Sequence, residues 1–173
     1  MLAWLDRKFD FAFPVEMAPL LLERLRGTPA RLEDRIRSIP RAQLTQRDGD
    51  KWSIQEHAGH LGDVETLFWG RLDDYDAGAP RLRAADPSGQ RTARADHNRR
   101  ELATIFADFR AARGKLVERL EALDPTSLAR TAHHPRLDRP MRVCDTMFFA
   151  AEHDDHHLAL ITGLIQRYGR NRP

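Results

Sequence analysis

Histidine is the residue type in this chain with the most readable chemistry. Eight are present, and five fall in two short windows: His57 and His60 in one, His153, His156 and His157 in the other. Imidazole serves as metal ligand, general base and titrating group near neutral pH. On a helix turning about 100° per residue, His153 and His157 lie one above the other, about 40° apart. Thr146, Phe149, Leu160 and Leu164 share that face, so it points into a bundle. His156 and Asp154 flank the stripe, and Asp155 is expected in solvent on the far side. His60 shares an apolar stripe with Val64 and Leu67, with His57 and Phe68 at its flanks. Imidazoles at i and i+4 can place two nitrogens about 2 Å from one ion. A third imidazole from a facing helix completes a three-histidine site with open positions for water or substrate. A hydrogen-bonded polar core or a pH-sensing cluster is the competing account, since each neutral ring needs one donor and one acceptor partner.

Other templates fit less well. Di-iron bundles need two Glu-x-x-His motifs, and the sequence contains none. The run His153-Asp154-x-x-His157 departs from the metalloprotease pattern His-Glu-x-x-His in its shorter carboxylate. Glu56 and Asp154 are the candidate carboxylates beside the histidines, as base or as acceptors of an imidazole N–H. A capping or surface charge is the competing account for each. Arg71, on the His60 face, is a candidate for a substrate carboxylate, although a solvated helix-end charge is the favoured account of it. Cys144 lies off the histidine stripe and is expected to pack, not react.

Four long helices must position these residues. Met17, Leu20, Leu21, Leu25, Leu32, Ile36 and Ile39 recur at helical spacing up to Pro40. Thr28-Pro29 after Gly27 predicts a kink or restart within that helix. Ser53 with Glu56 three residues on reads as a capping box, with Trp52 as staple, opening a second helix to about Tyr75. A polar connection through Gly78, Pro80, Pro87 and Gly89 leads to a third helix over residues 96–123. An irregular segment with His133, His134, Pro135 and Pro140 precedes the fourth, over residues 142–168, with Gly169 as its stop. No segment alternates long enough to predict a strand. The expected class is all-α, a four-helix bundle whose long connections leave room for crossovers, in one domain spanning residues 1–173.

Composition sets the remaining limits. With 173 residues, 41% hydrophobic and 31% charged, the chain can fold around a core. Its apolar runs are too short for a membrane span, no secretory signal is apparent, and a single cysteine suits a reducing cytoplasm. Net charge is +2, and only three of the 28 basic residues are lysine. The arginines over residues 81–100 are interrupted by Asp86 and Asp96 and lack aromatic residues to stack a base, so nucleic acid is not the expected partner.

The stretch Trp52-Ser53-Ile54-Gln55-Glu56-His57-Ala58-Gly59-His60-Leu61 resembles the opening of the second helix in the DinB/YfiT-like superfamily. Ala151-Glu152-His153-Asp154-Asp155-His156-His157-Leu158, with His134-Pro135 upstream, resembles that family's fourth-helix motif. The resemblance covers most of the chain. It implies a four-helix bundle, often a homodimer, holding a divalent metal, zinc or nickel foremost, with His60, His153 and His157 as ligands. His57, His156 and His134 then become pocket or supporting groups. The implied function is a metal-dependent enzyme on a small molecule, activating a low-molecular-weight thiol as an S-transferase or water as a hydrolase. A non-catalytic metal-binding or stress-related bundle is the alternative.

Overall fold

The computed structural model describes residues 2–86 and 88–170; Pro87 of the polar connection lies outside them. Four long helices carry the fold: α1 (Ala18–Ile36), α3 (Ile54–Asp76), α5 (Leu102–Glu121) and α7 (Val143–Arg170). Short helices α2 (Arg41–Leu44), α4 (Gln90–Ala95) and α6 (Pro125–Leu128) lie in the connections. Both α1 and α3 pack against α5 and α7. Thus α1 lies diagonal to α3, and the connections α1–α3 and α5–α7 each cross the bundle, while α3–α5 joins neighbours. No helix among the described residues is long and apolar enough to cross a membrane.

Four local expectations are corrected. First, α1 runs unbroken through Gly27, Thr28 and Pro29. Proline cannot donate to the carbonyl four residues back. Here the Leu25 carbonyl accepts instead from Arg113 Nη1 of α5, at 2.8 Å, so the missing backbone bond is replaced from a neighbouring helix. Second, the third long helix starts at Leu102, not near residue 96. Asp96 is left-handed (φ 46°), and a 3₁₀ turn, His97–Arg99, precedes Arg100 in extended backbone. Third, the segment before α7 is an antiparallel hairpin, β1 (Thr131–His134) with β2 (Arg139–Arg142), in the register His134↔Arg139. Pro80 and Leu82 of the long connection hydrogen-bond His133 on the outer edge of β1. Fourth, Gly169 does not stop α7 within the described residues.

The core is divided in two. One apolar cluster holds Leu21, Leu25, Phe68, Leu72, Leu116, Leu120, Met147 and Ala150; the other holds Leu32, Ile36, Leu61, Ile105, Phe109, Leu158 and Ile161. Each long helix passes from one cluster to the other at a polar layer containing Thr28, Glu65, Arg113 and the histidines 153–157, all buried. Arg113 on α5 donates to Glu65 Oε1 on α3 (2.6 Å), Asp154 Oδ2 on α7 (2.6 Å) and the Leu25 carbonyl on α1. One guanidinium therefore touches the other three long helices.

Candidate metal centre

The capping box fixes where the first histidines fall. Ser53 Oγ accepts from the Glu56 amide at 3.1 Å, and Glu56 Oε2 accepts from the Ser53 amide at 2.9 Å. With the helix start pinned there, His57 and His60 face α7. Trp52 does more than staple the chain: its ring packs on His60 (4.7 Å between centroids), His57 (5.4 Å) and His157 (6.1 Å). On the other side, half-buried Trp4 from the N-terminal segment packs on His153 (5.1 Å) and His156 (5.6 Å). Arg7 to Glu152 (2.5 Å) holds that segment against α7, and Arg142 at the end of β2, donating to the carbonyls of Phe11 and Phe13, ties it to the hairpin.

Three Nε2 atoms converge between the two indoles. His153 Nε2 lies 3.3 Å from that of His60 and 3.2 Å from that of His157, and ligand atoms of all three residues fall within 4.8 Å of one another. Nitrogens about 2.0–2.1 Å from one tetrahedral ion are about 3.3 Å apart, so the spacing fits a divalent cation. Burial foremost pushes His60 and His57 down to about 4, and it holds His153 and His157 well below the usual imidazole value. The rings are therefore neutral at pH 7, and facing lone pairs are what a cation needs.

The Nδ1 atoms support the same assignment. His60 Nδ1 lies 3.0 Å from Thr92 Oγ1 of α4, and His157 Nδ1 lies 2.9 Å from His57 Nδ1. Each partner can accept an Nδ1–H, which leaves Nε2 free to coordinate. His153 Nδ1 is buried without a partner among the described residues.

The other sequence-based candidates distribute as follows. Asp154 is fully buried, but its oxygens accept from Arg113, not from an imidazole. Glu56 accepts from Arg47 as well as from Ser53. Both carboxylates are thus engaged by guanidinium groups. His156 is buried edge-on to His157. His134 lies 5.2 Å from Phe149, one turn before His153, and is held by the hairpin. Asp155 is not simply solvated; it pairs with Arg24 (2.5 Å) and Arg31 (2.8 Å) of α1. Arg71 is buried, not a solvated helix-end charge. Cys144 is buried, and burial pushes its thiol up to about 11. Sequence reasoning missed Trp4, Thr92, Glu65 and Arg113. For the last two a signal existed: each is a charge on an otherwise apolar stripe, between Leu61 and Phe68 and between Phe109 and Leu116.

Comparison with known proteins supplies the family. The model of the DinB superfamily matches residues 24–161. No functionally curated protein matches the sequence. Among solved structures, YfiT from Bacillus subtilis, described as a probable metal-dependent hydrolase with an unusual four-helix bundle topology, superposes with a TM-score of 0.82 at 22% identity, over 94% of each chain. Sequence and fold agree, and this chain belongs to the DinB superfamily.

Proposed function

We propose that the protein is a metal-dependent enzyme in which His60, His153 and His157 hold one divalent cation and a small molecule reacts at its open position. The observation that carries this reading is the convergence of three neutral imidazoles, with His153 Nε2 3.2–3.3 Å from those of His157 and His60. When bound, such an ion supplies Lewis acidity that lets water, or a thiol, lose a proton near neutral pH. The chain's own groups do the rest. Thr92 and His57 orient two of the rings through Nδ1. Trp52 and Trp4 wall the cluster with apolar surface, which excludes bulk water and strengthens charge interactions inside. His60, only partly buried, marks the side open to solvent.

Hydrolysis is the favoured reaction, supported by the fold shared with YfiT, itself described as a probable metal-dependent hydrolase. Thiol transfer at the same open position, implied by the family resemblance, is the second reading. Three imidazoles suit zinc and nickel, the ions we expect first. A homodimer is the assembly the resemblance favours, and a reducing cytoplasm suits the single cysteine. The test is elemental analysis of untagged protein beside His153→Ala, followed by assays of the loaded protein on ester and amide substrates and on thiol–electrophile pairs. One metal per chain in the wild type, absent from the variant, with turnover of either substrate set, supports the reading. Stoichiometric metal without turnover returns the protein to a metal-binding bundle; no metal in either sample overturns the site.

A further inference from the structure

A second polar cluster lies below the histidines, where α3, the hairpin and the long connection meet. Arg71 is buried, with 1% of its surface exposed, and its Nη1 has no partner among the described residues. Its Nε donates to the Arg83 carbonyl at 3.4 Å. The preceding residue, Leu82, donates its amide to the His133 carbonyl, which brings Arg71 beside His134. His134 is also 1% exposed, and its Nε2 is likewise unpartnered. Its Nδ1 accepts from the Leu137 amide at 3.2 Å. In the neutral ring the proton is therefore on Nε2. Both orphaned atoms are donors. What the cluster lacks is an acceptor.

Nor do the described residues around it supply one. The nearby carboxylates are engaged: Asp74 by Arg83, Asp138 by His133 and Asp145 by Arg142. A third cation closes the cluster toward solvent. Arg136 is exposed, lies over Phe149 (5.3 Å) and Trp4 (5.5 Å), and has no ion pair among the described residues. A buried guanidinium without a counter-ion is costly, and burial pushes Arg71 down to about 10, leaving it charged at neutral pH. Two buried donors and a rim cation, with no anion among them, are the complement of an oxyanion.

We propose that Arg71, His134 and Arg136 form a subsite for an oxyanionic group of the substrate, a carboxylate or a phosphate. Phe149 lines this cluster and lies one turn from His153, about 6 Å along the helix. Phe68, one turn before Arg71, meets the His153 ring at 6.3 Å. The substrate class is therefore an anionic small molecule whose charged end is separated by several bonds from its reacting group. This deepens the function proposed above and relies on it only for the reacting end.

The test is carried out without metal, so that it stands apart from the histidine site. Metal-free wild type and His153→Ala are titrated with glutarate, inorganic phosphate and chloride at matched ionic strength, following melting temperature and calorimetric binding. Glutarate or phosphate should bind both proteins and raise their melting temperature, while chloride does not; the stronger of the two names the group. Arg71→Met should weaken binding by about tenfold or more. Without oxyanion it should melt at or above wild type, because it removes an uncompensated buried charge. Arg136→Gln, at the exposed rim, should fold normally and weaken binding several-fold. Absence of oxyanion binding to wild type, or equal binding in wild type and both arginine variants, overturns the subsite. So does an Arg71→Met protein that melts well below wild type in every buffer, which would mark Arg71 as structural. A failed metal analysis with oxyanion binding intact would overturn the metal reading alone.

Discussion

Replacing Arg113 with leucine tests how the bundle is held at its middle. The substitution leaves Glu65 and Asp154, 3% and 0% exposed, facing each other without a cation. It also strips the Leu25 carbonyl of the Arg113 bond that stands in for the N–H Pro29 lacks. Removing one partner of a buried ion network costs about 3–5 kcal/mol, and an orphaned buried carbonyl about 1–3 kcal/mol. The expected loss is therefore about 4–8 kcal/mol, comparable with the whole stability of a domain this size. Urea unfolding at neutral pH, followed by far-UV circular dichroism, measures it. The deficit should shrink at pH 5, because burial pushes the Glu65 carboxyl up and the loss of Arg113 lets it take up a proton in the folded variant. Replacing Glu65 and Asp154 with leucine as well should recover most of the loss, apart from the carbonyl term. Adding Pro29→Ala should return that term by restoring the backbone bond. A loss below about 1 kcal/mol in the single variant, or a triple variant no more stable than the single, would refute the reasoning.

Three further outcomes are expected. His57→Phe keeps a ring under Trp52 but removes the acceptor for His157 Nδ1, and should weaken metal binding about 10–100-fold in a competition titration with a chromogenic chelator; unchanged affinity would remove His57 from the site. His134 is held down to about 3 by burial and then by Arg71 and Arg136, against 6.5 in the unfolded chain. The unfolded state thus binds the extra proton in that window, stability falls as pH drops from 6.5 toward 3, and between pH 8 and 5 the loss from this group is about 2 kcal/mol. His134→Gln should flatten the profile by that amount, and equal slopes for both proteins would count against the burial argument. Gly59→Ala would put a Cβ 2.2 Å from the His97 ring, displacing it from Asp63 at about 1–3 kcal/mol of stability. Native thermal stability in that variant would mean His97 is free to move aside.

The parts of the fold written in local pattern were legible in the sequence. Ser53 and Glu56 announced the start of α3 because a capping box is a contact between residues three apart. The histidine stripes announced inward faces because a helix repeats every 3.6 residues. What stayed hidden depends on contacts distant in sequence. Pro29 reads locally as a helix start, and only Arg113, 84 positions later, makes it a helix interior. The hairpin went unread because each strand has four residues, one of them with a proline in mid-strand. Asp154 resembled a site carboxylate by position, yet which charge it meets is decided by a residue on another helix.

The bond from Arg113 to the Leu25 carbonyl links positions 29 and 113 in descent as well as in space. A lineage that loses Pro29 regains a backbone donor for that carbonyl and loosens the demand for a guanidinium on α5. A lineage that loses Arg113 first strands a carbonyl and two carboxylates at once. The order of substitution is therefore one-sided, with the proline leaving before the arginine. Among homologues, arginine at 113 without proline at 29 should be common, and the reverse combination rare.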